Sequence, residues 1–414
     1  MERNSASSTS PTPSPADGGS SISAGAGQPH AGGTVVSPAR AKRILLLHVR
    51  AGAGHESAAR AVAKALETVS PGAETDVRDA LELSSFVLRT TYASTYNRVL
   101  ARAPRVWGEV YKRSASPYDS WRQRFRTWLA VWGSPKYLEQ IAAFGPDAIL
   151  CTQFLPAEVL ATWRERGKLD IPVATVITDF AVHPIWVYRG MDRYFVAADS
   201  VREELVDTGM VKRERIDVTG VPIDPKFSVP IAPAVARREL GLDPDPSRPV
   251  FLLMGGGFGW GPIEPMLDVV MELPPRVQAL VIAGRNDRLR ARLAEKTKAQ
   301  ADRIRIHGFT TRVELFLAAS DLLLGKTGGL TVSESMASGV PMVVFRPLPG
   351  QEERNCDFLQ ESGAAIRVHD FEELHYRLMH FINQPERLEE MKERARRVGR
   401  PRSAFAVAEG LLKL

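Results

Sequence analysis

The sequence predicts an α/β protein of two domains, each a parallel sheet with crossover helices, and three observations carry that reading. Short apolar runs such as Ile44-Leu45-Leu46-Leu47, Val250-Phe251-Leu252-Leu253 and Leu322-Leu323-Leu324 stop at small or polar residues, and segments of helical period follow them. That alternation is the pattern of buried parallel strands joined by helices. A Pro-rich connection between residues 222 and 249 separates two such series and marks a hinge. Finally, 414 residues, 44% of them apolar, are enough for two cores of ordinary size.

In chain order, residues 1–40 are rich in Ser, Pro, Gly and Ala with almost no large apolar side chains, so they predict a disordered tail. Residues 43–49 read as a buried strand, 50–55 as a glycine turn and the Ala-rich stretch 56–67 as a helix. The third glycine of a dinucleotide fingerprint is absent. His55 stands at the mouth of the helix, where the positive helix end disfavours imidazolium and keeps the ring able to accept a proton. The alternative is a capping His.

Residues 86–136 interleave basic side chains, among them Arg122, Arg124 and Arg126, with aromatic ones that include Trp121, Trp128 and Trp132. The mixture suits an interfacial helix with rings at headgroup depth and Arg on phosphates. It equally suits single-stranded nucleic acid, or a solvated basic face over an aromatic core.

Residues 146–152 and 171–179 are two further strands, and Thr178-Asp179-Phe180 followed by His183-Pro184-Ile185-Trp186 falls at the crevice edge of the second. Strands at 194–197 and 216–223 lead into the hinge. There Asp243-Pro244-Asp245 offers the two carboxylates of a metal motif, but it lies between prolines in a linker, and no metal is assigned to it. The second domain opens with a strand at 250–254 and a glycine loop containing Gly256 and Gly257, placed to pass close to a ligand. Strands at 279–286 and 304–309 follow, ending in Gly284-Arg285-Asn286 and Gly308-Phe309. A final amphipathic helix spans 403–414.

The densest signal is the stretch 325–355. A buried strand stops at Gly325-Lys326-Thr327-Gly328-Gly329, a helix runs over 331–338, and 340–345 is a second buried strand, which makes one β-α-β unit. Its ligand edge lies at the carboxyl ends of the strands. The free N–H groups at Gly328-Gly329 suit a phosphate, with Lys326 and Thr327 as further donors. Glu334, in the first turns of the helix, suits the vicinal hydroxyls of a ribose, and Gln351, Glu352 and Asn355 suit a sugar. The alternative is a tight turn and a solvated helix carboxylate.

This stretch resembles the nucleotide-sugar site of the group that holds monogalactosyldiacylglycerol synthase, processive diacylglycerol glucosyltransferase and the MurG-type transferases (glycosyltransferase family 28). The run Gly54-His55-Glu56-Ser57-Ala58-Ala59 and the Thr-Asp-Phe then His-Pro-Ile-Trp pattern are similar to the lipid members. The resemblance implies a GT-B fold, two facing Rossmann-like domains with a cleft between them: residues 41–224 bind the acceptor, 225–400 the donor, and a helix over 401–414 packs back on the first. It implies that Thr327, Gly328, Gly329 and Arg285 hold a diphosphate, Glu334 a ribose, Gln351 and Glu352 a hexose, with Gly256, Gly257, Asn286 and Phe309 near the nucleotide. On the acceptor side it points to Gly54, Asp179, His183 and Trp186, with His55 as the base; the last three alternatively brace their loop.

The expected activity is inverting transfer of glucose or galactose from a UDP-sugar to diacylglycerol, without cofactor or metal. The expected partners are UDP-hexose, diacylglycerol and an anionic membrane surface rather than nucleic acid, a choice to which the net charge of +6 is indifferent. The rivals are MurG-type N-acetylglucosamine transfer to an undecaprenyl-linked precursor, a nucleotide-sugar epimerase and a sensor. Cys151 and Cys356 lack metal-ligand spacing and read as free buried thiols of a reducing compartment. No apolar run approaches the roughly 20 residues of a spanning helix, so a cytoplasmic, peripherally associated protein is expected.

Overall fold

The computed structural model describes residues 41–50, 54–85, 89–90, 121–134, 136–257, 259 and 261–414, without the side chains of 121–124 and 126. The expected tail and most of the stretch 86–136 lie outside the described residues. So do the side chains of Trp121, Arg122, Arg124 and Arg126.

Two six-stranded sheets form the frame. The first contains β1 (Arg43–His48), β2 (Glu74–Asp79), β3 (Ala148–Cys151), β4 (Val173–Val176), β5 (Arg193–Val196) and β6 (Ile216–Val218), in the order β2-β1-β3-β4-β5-β6. The second contains β7 (Val250–Met254), β8 (Gln278–Ile282), β9 (Ile304–His307), β10 (Leu322–Gly325), β11 (Met342–Phe345) and β12 (Ala365–Val368), in the order β12-β11-β10-β7-β8-β9. The strand pairs are parallel throughout. Central strands such as β3, β7, β10 and β11 are buried at every position, which is why they read as unbroken apolar runs.

The helices are α1 (Gly54–Val69), α2 (Trp121–Trp132), α3 (Tyr137–Phe144), α4 (Phe154–Glu165), α5 (Asp199–Asp207), α6 (Pro233–Glu239) and α7 (Ile263–Met271). They continue with α8 (Asp287–Lys296), α9 (Val313–Ala319), α10 (Gly329–Ala337), α11 (Gln351–Glu361), α12 (Phe371–Asn383), α13 (Pro385–Val398) and α14 (Ser403–Leu411). None of them, among the described residues, is long and apolar enough to cross a membrane. Both cysteines are free and buried.

Strand order reverses between β1 and β3 in one sheet and between β7 and β10 in the other. Crevices open outside the carboxyl ends of the strands at such reversals. The residues that follow β1, β3, β7 and β10 are therefore the ones placed to meet ligands.

The last helix belongs to the first sheet's outer layer. Phe405, Val407 and Leu411 of α14 pack with Ala59, Val62 and Leu66 of α1 over Ile44, Leu46 and Phe195. Gly410 faces Phe195 so closely that a Cβ there would lie 2.5 Å from the ring. In an exposed helix, Gly→Ala stabilises by about 1 kcal/mol. Here overpacking against a fully buried ring reverses the sign, and Gly410→Ala is expected to lower stability by about 1–3 kcal/mol in urea unfolding. A stabilised variant would mean that α14 is not seated there.

Candidate active site

One side of the candidate site is built at the reversal between β1 and β3, where an acceptor was expected. Helix α1 starts at Gly54, and His55 in its first turn places Nδ1 2.6 Å from the carbonyl oxygen of Thr152, the residue after β3. A carbonyl can only accept, so Nδ1 carries the proton and Nε2 presents a lone pair. The Thr152 hydroxyl donates in return to the His55 carbonyl at 2.8 Å, which fixes the ring's backbone as well. Thr178 Oγ1 lies 3.4 Å from Nδ1, and the Trp186 ring stands 6.4 Å away, packed edge-on against Phe154. Burial pushes the His55 pKa down to about 4, the Thr152 carbonyl opposes it, and buried His48 adds to it. The ring is neutral as expected, but burial rather than the helix end is the leading cause. A Cβ on Gly54 would meet nothing within 4 Å, so that face is open.

The other side is built at the reversal between β7 and β10, where a nucleotide sugar was expected. Helix α10 begins at Gly329 after Gly328, and no side chain caps it, so its first N–H groups are left for an anion. A Cβ on Gly328, Gly256 or Gly257 would meet no protein atom within 4 Å, and Gly256 needs glycine for its φ of +73°. These three glycines line open space. Lys326 Nζ lies 3.8 Å from Glu352 Oε1 at the same edge. Arg285, exposed, lays its guanidinium over the Phe309 ring at 4.4 Å, and Phe309 is itself half exposed. Glu334 is half-buried; desolvation pushes its pKa up to about 8, with Lys226 opposing and Asp224 and Glu314 reinforcing the shift.

Gly329 differs from its neighbour. A Cβ at this position would lie 1.9 Å from the Thr178 carbonyl oxygen and 3.5 Å from Asp179 Oδ1. The loop after β4 therefore rests on the start of α10, and Gly329 serves contact between the two halves rather than ligand approach. Asp179 is half-buried there; desolvation pushes its pKa up to about 6, Asn355 opposes, and Glu352 reinforces.

Thr327, Asn355 and Asn286 do other work than the sequence suggested, and His183 takes the loop-bracing one of its two readings. Thr327 is fully buried and donates its hydroxyl proton to the Glu352 carbonyl at 2.6 Å, so it is not a side-chain donor to phosphate. Asn355, expected at the hexose, is fully buried; its amide donates to the Thr327 carbonyl at 2.9 Å and to Asp179 Oδ1 at 3.3 Å. Its oxygen accepts the Phe180 N–H at 2.8 Å. His183 is buried and its Nδ1 accepts the Ile185 N–H, which braces the short 3-10 turn Pro184–Trp186. Asn286 caps α8 through the Leu289 N–H. Glu352 accepts the Leu348 N–H at 2.8 Å and faces Lys326, and Gln351 is half-buried at the start of α11. Sequence reasoning missed Thr152 and the carbonyl of Thr178; their places directly after β3 and β4 were the available signal.

Helix α2 packs through Ala130 and through Thr127, whose hydroxyl donates to Glu158 of α4 at 2.6 Å. Phe125, Trp128, Leu129 and Trp132 are exposed on its other face, at helical spacing, with Trp128 stacked between Phe125 (5.9 Å) and Trp132 (6.2 Å).

Known proteins share this architecture. Residues 55–223 match the monogalactosyldiacylglycerol (MGDG) synthase family and residues 248–398 the glycosyl transferases group 1. A processive diacylglycerol beta-glucosyltransferase of Bacillus pumilus is 28% identical over 373 residues, 90% of this chain and 95% of that protein. Its counterpart in Bacillus mycoides is 30% identical over 291 residues, 70% of this chain and 74% of that protein. The crystal structure of Acinetobacter baumannii MurG aligns with a TM-score of 0.58 at 17% identity, over 90% of this chain and all of that one. At that identity it shows the GT-B fold alone.

The geometry of His55 yields a titration that can be read directly. Carbon-labelled His resonances should show His55 protonating with a midpoint near pH 4. A midpoint near 6.5, the ordinary value, would mean a solvated ring and would contradict the buried seat beside the Thr152 carbonyl.

Proposed function

The chain belongs to the processive diacylglycerol β-glucosyltransferase family, and from that premise we propose that it transfers a hexose from a UDP-sugar to diacylglycerol with inversion, making a β-glycosyldiacylglycerol. Glucose is the sugar in the names of the relatives that match across most of the chain. The observation that carries the mechanism is the His55–Thr152 bond, which leaves Nε2 as a base facing the cleft. Nε2 removes the acceptor hydroxyl proton as that oxygen bonds to the anomeric carbon and the bond to the diphosphate breaks. The leaving group is received by the uncapped start of α10 on the Gly328 side and by Lys326, an electrostatic arrangement that asks for no metal. Glu334, whose pKa is pushed up to about 8 by desolvation, ionises as it accepts the two ribose hydroxyls.

The exposed ring stripe of α2 supports peripheral membrane docking, since a contiguous apolar patch on a surface helix marks an interaction site. Arg122, Arg124 and Arg126 would add roughly 1 kcal/mol each toward an anionic surface before screening. Binding to vesicles should rise with anionic lipid, weaken with salt, and fall further in Trp128→Ser with Trp132→Ser. Transfer to a short soluble acceptor should be left intact by that double change. Vesicle binding that ignores it would remove α2 from the membrane face.

The direct test offers UDP-glucose, UDP-galactose and UDP-N-acetylglucosamine to the protein on vesicles that hold both diacylglycerol and a polyprenyl diphosphate acceptor, with and without a chelator, and identifies the lipid product. A glycosyldiacylglycerol formed equally well with the chelator is expected; N-acetylglucosaminyl transfer to a polyprenyl diphosphate acceptor alone would favour the MurG-type reaction. His55→Ala should lower turnover roughly 10²- to 10⁴-fold with UDP affinity nearly unchanged. Calorimetry of UDP-glucose at pH 7 should release up to about one proton per site in the native protein and none in Glu334→Gln. No difference between the two would take Glu334 away from the ribose.

A further inference from the structure

We propose that Asn355 is a positioning residue that sets the separation between the base His55 and the donor helix, without touching either substrate. The inference rests on the transferase reading above and assigns a role inside it. An Asn side chain has two amide hydrogens and one carbonyl oxygen. At Asn355 both hydrogens and the oxygen are engaged, and the residue has no exposed surface from which to meet a ligand.

The three partners define what it positions. Thr327 lies in the turn between β10 and α10, on the donor side. Asp179 and Phe180 lie directly after β4, on the acceptor side. The residue before them, Thr178, reaches His55 Nδ1 with its hydroxyl at 3.4 Å and presses its carbonyl against Gly329. Asn355 thus fixes, through one short stretch of backbone, both the neighbour of the base and the surface on which the donor helix rests. Helix α11 suits the task, because its first residues, Gln351 and Glu352, lie at the donor edge. One turn later Asn355 and Phe358 grip the acceptor loop, the Phe358 ring lying 4.7 Å from that of Phe180.

No close substitute makes the same three bonds. Asp keeps the acceptor for the Phe180 N–H but turns the donor atom into an acceptor facing the Thr327 carbonyl and the Asp179 carboxylate. Arg354 provides the contrast: it joins the same loop through the Val182 carbonyl and Glu204, but that ion pair is solvent-exposed. Exposed pairs contribute little.

The test uses the full chain with Asn355→Ala, Asn355→Asp and Arg354→Met. It reads UDP affinity, turnover per UDP-binding site on diacylglycerol vesicles, and hydrogen exchange at the Phe180 amide. Both Asn355 variants should keep UDP affinity close to native while turnover per site falls roughly 10²-fold, the effect of displacing a reacting group by about 1 Å. In Asn355→Ala the Phe180 amide should exchange faster. Arg354→Met should retain most of its turnover. A purely structural role would reduce the number of UDP-binding sites but not the turnover of each, and that result overturns the proposal. Lost UDP affinity in both variants would make Asn355 a donor or folding residue and overturn it as well. Native protein that transfers no hexose at all would instead refute the transferase reading, and the inference with it.

Discussion

The structure depends on one close approach, the carbonyl of Thr178 against the start of α10. It is possible only because residue 329 has no Cβ, since any side chain would stand 1.9 Å from that oxygen. Through it the loop after β4 and the start of α10 meet backbone to backbone. Thr178 is also a neighbour of His55, and Gly328, on the other side of the same helix start, faces open space. Two adjacent glycines therefore do different work: one admits the other half of the protein and one leaves room for an anion. A Gly329→Val change prises the halves apart, whereas Gly328 probes the donor site.

Polar groups buried at this junction have to be satisfied, because an orphaned donor or acceptor there costs about 1–3 kcal/mol. Asn355 answers for three of them at once, and the Thr327 hydroxyl and Glu352 carbonyl answer for each other. Away from the cleft the second half is steadied in the same manner. Buried Arg237 reaches Asp321, whose other oxygen meets Lys392, and Asp321 also accepts the Val250 N–H. Helices from beyond both ends of the sheet are thereby tied to the strand that leads into the glycine loop.

Most of the frame was legible because buried parallel strands read as unbroken apolar runs, as at β7, at Leu322–Leu324 of β10 and at Ile44–Leu47 within β1, and because glycines follow them. The strands that escaped notice, β2 with its sequence Glu-Thr-Asp-Val-Arg-Asp and β12, are edge strands of partial burial, where charged residues fit and the pattern fades. The site was legible by residue type and not by role. Thr327 and Asn355 are suitable ligands for a nucleotide sugar on paper, but the atoms they meet include groups on Asp179 and Phe180, some 176 and 175 residues away from Asn355. Nothing local reveals a partner at that distance. His183 is the opposite case: its partner is two residues away, and a loop brace was one of the two readings its own turn allowed.

Burial moves three titratable groups of the cleft toward their neutral forms: His55 down to about 4, Asp179 up to about 6 and Glu334 up to about 8. Each shift works against the stability of the fold wherever the unfolded chain carries the charge. The unfolded chain holds more protons on residue 55 between pH 6.5 and 4, so the contribution of that neutral ring is lost as pH falls through this window. For Glu334 the folded protein holds the proton more tightly, so stability is lost as pH rises from 4.5 through 8. What the cleft gains is compatibility with its ligand. At the uncapped start of α10 and at Lys326 an approaching anion would meet N–H donors and positive charge. Neutrality also keeps Nε2 available as a base at physiological pH. The same desolvation that weakens the fold thus keeps the His55 ring neutral, and the burial behind it depends on Gly329 and Asn355 holding the two halves together.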